Sequence, residues 1–145
     1  MDQCVFCEIV AGRAPASLVY QDDRVTAFLD HRPVTRGHLL VIPNAHLAFL
    51  ADLDEKVRAH IFAIGTRLAA AVRSSGLPCE GINLFLADGE AAGQEVLHAH
   101  LHVFPRTTGD GFTIDASAWA NPRPSRDDLD ANASAIRDAL ARTVQ

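Results

Sequence analysis

Short hydrophobic runs recur through the first 106 positions and predict five β-strands. The predicted strands are residues 17–21, 24–30, 37–43, 81–86 and 98–106. The first two are separated only by Asp22-Asp23, which predicts an antiparallel hairpin. The third is continuously apolar between Gly37 and Pro43, so we expect it at the centre of the sheet with both faces covered.

Two other stretches have the 3.6-residue period of an amphipathic helix. The first begins at an acidic capping sequence, Asp52 to Glu55, and ends near Ser75-Gly76. The second begins after Ser125 and should form an amphipathic lid or tail. Their apolar positions are Val57, Ile61, Ile64, Leu68 and Val72 in the first, and Leu129, Ala133, Ile136 and Leu140 in the second.

Three histidines occupy alternate positions of the last predicted strand. Side chains on a strand alternate faces, so His98, His100 and His102 should share one face while the residues between them pack in the core. Neighbouring histidines would lie roughly 6–7 Å apart at Cα, so one metal can take a neighbouring pair but hardly all three. We therefore expect the three imidazoles to have different tasks.

Length and charge limit the class of protein. A chain of 145 residues suits one domain, and a formal net charge of −5 with scattered charges argues against a nucleic-acid surface. The sequence has neither an N-terminal signal pattern nor an apolar run of membrane-spanning length. We expect a cytoplasmic protein, not bound to membranes, whose partners are small molecules.

Two of the three cysteines form a Cys4-x-x-Cys7 pair near the N-terminus. Two thiolates at this spacing can bind one tetrahedral zinc, although a complete site needs two further ligands. A pair of free or redox-active cysteines is the alternative, but the βαβ context of a redox motif is missing. Cys79 is interpreted as an incidental thiol.

The segment Gln94-x-Val96-x-His98-x-His100-x-His102-x-x-Pro105-Arg106 resembles the signature of the histidine triad (HIT) superfamily of nucleotide hydrolases and transferases. The resemblance extends to Cys-x-Phe-Cys at residues 4–7 and to Gly-His-Leu-Leu-Val-Ile-Pro at 37–43. It implies an α+β fold, with a five-stranded antiparallel sheet, one long helix, a short N-terminal zinc segment and a C-terminal helix. The chain would be a single HIT domain over 1–145, with a core of about 4–106 and a C-terminal tail and helix over 107–145. It also implies a homodimer.

The resemblance further implies a reaction and the residues that perform it. His100 would attack the α-phosphorus of a purine nucleoside phosphoramidate or dinucleoside polyphosphate, forming a nucleotidyl-histidine that water hydrolyses. His102 would contact the phosphate oxygens or the leaving group, and a histidine here favours hydrolysis over transfer. Asp30, which ends a strand before Pro33, would bind the ribose hydroxyls, with Gln94 as a further substrate contact. Asn83 is another candidate contact, and an Asn that satisfies local backbone groups is the alternative interpretation.

One structural zinc per chain is also implied by the resemblance. Its ligands would be Cys4, Cys7, His46 and His98, which leave no open position for a substrate. His38 is interpreted as a buried, hydrogen-bonded histidine. Ala87 and Glu95 differ from the Asn or Gln and the Ser or Thr common in relatives, which leaves two phosphate contacts open.

Two other kinds of function remain open. The histidines could hold a catalytic metal, or the chain could be a nucleotide-binding sensor with little turnover. A nucleotidyltransferase that uses the same nucleotidyl-histidine intermediate is a further alternative. The sequence does not decide between phosphoramidate and dinucleoside polyphosphate substrates.

Overall fold

A five-stranded antiparallel sheet forms the centre of this computed structural model, which describes residues 4–119 and 122–143. The strands are β1 Leu18–Gln21, β2 Val25–Leu29, β3 Leu39–Pro43, β4 Gly81–Leu86 and β5 Leu101–Arg106. Their order is β1-β2-β3-β5-β4, so β3 lies in the middle and β4 at one edge. The predicted α+β class and antiparallel five-stranded sheet are confirmed.

Three α-helices accompany the sheet in the described residues: α1 Val5–Val10, α2 Glu55–Ser74 and α3 Arg126–Thr143. The prediction that the long helix α2 is capped at Asp52 is wrong by two residues. Asp54 is the N-cap, because its Oδ1 accepts a hydrogen bond from the Val57 N–H at 2.9 Å. Asp52 instead ends a 3₁₀ turn and accepts from the Phe49 N–H.

One face of the sheet is covered by α2. Alternate residues of the strands join the buried face of α2 in one cluster, which contains Val25, Ala27, Leu39, Val41, Ile61, Ile64, Leu68, Val72, Ala99, Leu101 and Val103. Gly65 lets the helix approach closely, since a Cβ at this position would lie 2.7 Å from Leu101 Cδ2. The residues between the histidines therefore pack in the core, as predicted.

The opposite face of the sheet is covered by α1. Phe6 and Ile9 pack against Phe28, Leu40 and Ile42, which are the intervening residues of β2 and β3. Two covered faces explain why β3 is apolar throughout. Because Ala99, Leu101 and Val103 point towards α2, the alternating histidines are directed to the side on which α1 lies.

The strand that carries the histidines begins later than predicted. The sheet ladder starts at Leu101, so His98 and His100 precede it and only His102 belongs to β5. The His98 N–H donates to the Val96 carbonyl and the Ala99 N–H to the Leu47 carbonyl. The His98 carbonyl consequently accepts from a side chain instead of a neighbouring strand.

The chain divides into two compact units, residues 1–112 and 113–145. The second contains α3, none of whose residues is buried, and Ser125 Oγ accepts from the Asp128 N–H at its start. The single domain over 1–145 therefore stays a prediction. Among the described residues, no helix combines the length and hydropathy needed to cross a membrane.

Candidate active site and metal centre

Two thiols and two imidazoles converge between α1 and the sheet. The side chains are those of Cys4, Cys7, His46 and His98, and one ligand atom of each lies within 4.8 Å of the others. His98 Nδ1 is 3.5 Å from Cys4 Sγ and 3.7 Å from Cys7 Sγ, and His46 Nδ1 is 3.3 Å from Cys7 Sγ. A tetrahedral zinc with ligand distances of about 2.1–2.3 Å places its ligand atoms roughly 3.4–3.8 Å apart. The donor set and its spacing fit a structural zinc.

The hydrogen bond of His98 prepares its ring for a metal. Its Nε2 lies 2.8 Å from the Pro43 carbonyl, so Nε2 carries the proton and Nδ1 presents a lone pair to the thiols. Burial lowers the pKa of His98, which keeps the ring neutral as a ligand requires. Burial and the adjacent Cys4 thiol raise the pKa of Cys7, so metal binding must displace a proton there.

His100 has the geometry of an activated nucleophile. Its Nδ1 lies 2.7 Å from the His98 carbonyl and must donate to it, so the lone pair of the neutral ring is on Nε2. The ring is buried, and the edge-on ring of Phe6 lies with its centroid 5.3 Å away. One tautomer and one orientation are thereby selected.

His102 is fixed by a chain of hydrogen bonds that starts at a backbone amide. The Val34 N–H donates to His38 Nδ1 at 3.0 Å, so the proton of the neutral His38 ring is on Nε2. That Nε2 lies 2.9 Å from His102 Nδ1, which must accept. His102 therefore carries its proton on Nε2. Its ring centroid is 4.9 Å from that of His100.

Burial determines the charge of this pair of rings. Desolvation lowers the pKa of His38, and burial together with His100 and His38 lowers the pKa of His102 to about 4. Both rings are thus neutral near pH 7. In the neutral rings the hydrogen bonds run in one direction, from the Val34 N–H through His38 to His102.

Asp30 follows β2 directly and lies beside the hydrogen-bonded pair of His38 and His102. Its Oδ1 accepts from the Arg32 N–H at 2.8 Å, and its Oδ2 is 3.8 Å from His38 Nε2. Asp30, His38 and His102 together form a second group whose potential ligand atoms lie within 4.8 Å of one another.

The two other predicted substrate contacts are engaged elsewhere. Gln94 is buried and holds loops together, since its Oε1 accepts from the Gly89 N–H and its Nε2 donates to the Ala48 and Val96 carbonyls. Asn83 Oδ1 accepts from Arg106 Nη1. The structure thus brings Asp30, His100 and His102 to one place, whereas the described contacts of Asn83 lie at the Arg106 end of β5.

Sequence reasoning missed the roles of His38 and Phe6. His38 lies two residues before Leu40, and Leu40 of β3 pairs with His102 of β5. The contact between His38 and His102 therefore depends on the register of two strands that are far apart in sequence. Phe6 was part of a cysteine motif, and its contacts with two histidine rings require the path of α1 across the sheet. The signal for His38 was its position next to Gly37, at the start of the predicted third strand, which by itself fits an ordinary buried histidine.

This chain is similar to known proteins in sequence and in structure. An uncharacterised HIT-like protein of Mycobacterium tuberculosis is 41% identical over 139 residues, covering 96% of this chain and 94% of that protein. A zinc-bound histidine triad family protein from Mycobacterium smegmatis has a TM-score of 0.73 and 49% identity, covering 77% of this chain and 80% of the other. A histidine triad nucleotide-binding protein from Candida albicans has a TM-score of 0.84 and 25% identity, covering 97% and 99%.

One relative has a named activity. An adenylylsulfatase of Arabidopsis thaliana is 34% identical over 110 residues, covering 75% of this chain and 55% of that protein. The model of the HIT domain matches residues 11–109. By this match and by the relatives that span nearly its whole length, the chain belongs to the HIT family.

Proposed function

We propose that this chain is a nucleotide hydrolase that cleaves at the α-phosphorus through a nucleotidyl-His100 intermediate. The observation that carries the proposal is the 2.7 Å contact between His100 Nδ1 and the His98 carbonyl, which places the proton of the neutral ring on Nδ1 and its lone pair on Nε2. A neutral imidazole nitrogen oriented in this way is a nucleophile for phosphorus. The nucleotide-binding relative and the adenylylsulfatase support the substrate class.

The reaction divides into two displacements. In the first, His100 Nε2 forms a bond to the α-phosphorus while the bond to the leaving group breaks, and the leaving group departs with the electron pair. In the second, water attacks the same phosphorus and loses a proton to solvent, the bond between phosphorus and Nε2 breaks with its electron pair returning to Nε2, and the nucleoside monophosphate is released. The proton on Nδ1 stays at the His98 carbonyl in both steps.

His102 assists by donating a hydrogen bond from Nε2 to the bridging or non-bridging oxygens. Its pKa of about 4 means that near pH 7 the ring is a neutral donor and not an imidazolium acid. Full transfer of the Nε2 proton would create an imidazolate in a buried site. A leaving group that needs a whole proton must therefore obtain it from water or arrive protonated.

We also propose one structural zinc per chain at Cys4, Cys7, His46 and His98. The donor spacing and the lone pair of His98 support this assignment. When bound, the zinc supplies no substrate position, because four protein ligands complete its tetrahedron. The zinc-bound relative from M. smegmatis is consistent with it.

A catalytic metal at Asp30, His38 and His102 is the less favoured alternative. Coordination through His38 Nε2 requires that nitrogen to lose its proton, and the proton cannot move to Nδ1 while the Val34 N–H points at it. The ring would have to become an imidazolate or break that hydrogen bond. This geometry favours a hydrogen-bond chain over a metal site.

Asp30 Oδ2 supports a ribose contact. Gln94 would have to exchange existing hydrogen bonds at both ends of its amide to reach a substrate, and the Oδ1 of Asn83 already accepts from Arg106. We propose a purine phosphoramidate or dinucleoside polyphosphate as substrate and a homodimer as the assembly. Leu84 and Phe85, exposed on the edge strand β4, support the homodimer.

The test is replacement of the nucleophile. His100→Ala should lower hydrolysis by about three or more orders of magnitude, the scale for loss of a covalent nucleophile, with nucleotide binding and metal content nearly unchanged. Wild-type protein quenched during turnover should carry an acid-labile, base-stable nucleoside monophosphate on His100. Cys79→Ala is the matched control and should react at the wild-type rate.

Stereochemistry gives the contradicting outcome. Two in-line displacements must return a chiral α-phosphorus with net retention. Inversion, or full hydrolysis by the His100→Ala protein, would rule out the covalent step. Nucleotide binding with no turnover on either substrate class would favour a sensor.

A further inference from the structure

We propose that the metal centre positions the nucleophile of the reaction, in addition to stabilising the fold. The inference rests on the proposed function for its kinetic part only. Its structural content is that the residues holding the metal also determine the tautomer and orientation of the His100 ring.

The first connection is within His98. Its side chain presents Nδ1 to the two thiols, and its backbone carbonyl accepts the Nδ1–H of His100. His98 precedes the sheet ladder, so β-pairing does not fix this carbonyl. Two other contacts orient it: the Ala99 N–H of the same peptide donates to the Leu47 carbonyl at 2.7 Å, and the His98 side chain is held between the thiols and the Pro43 carbonyl.

The second connection is through Phe6. This residue lies between Cys4 and Cys7 in α1, and its ring packs edge-on against both His98 and His100, with centroid distances of 5.7 and 5.3 Å. Phe28 supports the same ring from β2 at 5.5 Å. Any shift of α1 therefore moves a group in contact with the nucleophile.

The position of α1 is expected to depend on the metal. The helix has six residues, and its N-cap Cys4 makes no side-chain capping bond. A helix this short is unstable by itself and is held by its tertiary contacts. These contacts include the packing of Phe6 and Ile9 and the two cysteines, so a bound metal would tie α1 to both His46 and His98.

The test compares wild-type protein, its chelated form, Cys4→Ala and the control Cys79→Ala, whose thiol lies outside the metal group. Imidazole nitrogen NMR reports the His100 tautomer, and steady-state kinetics separate kcat from KM. In metal-free protein that remains folded by circular dichroism, we expect the His100 Nδ1–H signal to broaden or disappear. The value of kcat should fall ten- to a hundredfold with little change in KM, the cost of a misplaced reacting group.

Two further variants keep the inference testable if Cys4→Ala does not fold. Phe6→Leu should keep the metal and the fold but lower kcat several-fold with a mobile His100 ring. Cys4→His retains a metal-binding set and should restore both the NMR signal and kcat. A folded, metal-free protein with the unchanged His100 signal would overturn the inference. If the protein hydrolyses no nucleotide, the proposed function fails while the NMR result still decides the positioning.

Discussion

The two histidine clusters beside β5 differ in where their ring protons lie. At Cys4, Cys7, His46 and His98, the His98 Nε2–H is directed to the Pro43 carbonyl, so a lone pair faces the thiols. At His38 and His102, a backbone amide occupies the Nδ1 of the first ring, so donors and acceptors alternate from Val34 to His102. One arrangement is open to a metal and the other is already satisfied by hydrogen bonds.

The hydrogen bond at the outer nitrogen of each imidazole decides the chemistry of the ring. His98 and His38 are both buried, and burial lowers the pKa of each. They differ in the partner of the second nitrogen, which is a carbonyl for one ring and an N–H for the other. A carbonyl partner leaves a lone pair on the other nitrogen, which can bind a metal. An N–H partner leaves a proton on the other nitrogen, which can donate a hydrogen bond.

The largest effect expected is on metal content and stability. Protein purified without added zinc should contain one metal per chain, and Cys4→Ala should contain none. Loss of the metal should lower the free energy of unfolding by on the order of several kcal/mol, because binding energy is folding energy. Two metals per chain, one of them retained in Cys4→Ala, would show that Asp30, His38 and His102 also bind a metal and would end the distinction.

A smaller effect is expected when the hydrogen-bond chain is broken. His38→Ala removes the donor to His102 Nδ1, so the His102 ring can adopt either tautomer. We expect kcat to fall roughly ten- to a hundredfold while the metal content stays at one, because a wrong tautomer removes a donor from the reacting centre.

The matched control for this change is His60→Ala. The His60 Nε2 is hydrogen-bonded to Asp22 Oδ2 at 2.6 Å, on the α2 side of the sheet. None of the contacts described for this imidazole involves the triad. Its loss should affect stability and leave kcat unchanged. Equal losses of kcat in both variants would show that the effect at His38 is general destabilisation.

The smallest effect concerns the pH dependence of stability. The pKa of His102 is about 4 in the folded protein, below the ordinary value near 6.5, so between these values the unfolded chain binds the extra proton. Stability should therefore fall as the pH is lowered from about 6.5 to 4. In chemical denaturation series over that range, the free energy of unfolding should fall less steeply in His102→Asn than in the wild type. The difference in the total fall should be roughly 1–3 kcal/mol. An unchanged slope would indicate that the His102 ring titrates normally.

The residues alone determined the main features of the fold, because burial imposes a period on the sequence. Alternation at residues 98–103 placed the apolar residues towards α2 and the histidines towards the opposite face. The continuous apolar run of β3 indicated a central strand for the same reason. Cys4 and Cys7 were recognisable as potential metal ligands from their spacing.

Tertiary structure decided the features that depend on contacts between distant segments. Asp54, not Asp52, caps α2 because a 3₁₀ turn precedes the helix, and the ladder of β5 begins after His100 because loop carbonyls bind the preceding amides. The tautomers of His38, His98 and His100 are set by carbonyl and amide groups that only the folded backbone brings to each ring. A sequence specifies which residues can exchange protons or bind metals, but the position of each proton follows from the three-dimensional neighbours of each nitrogen.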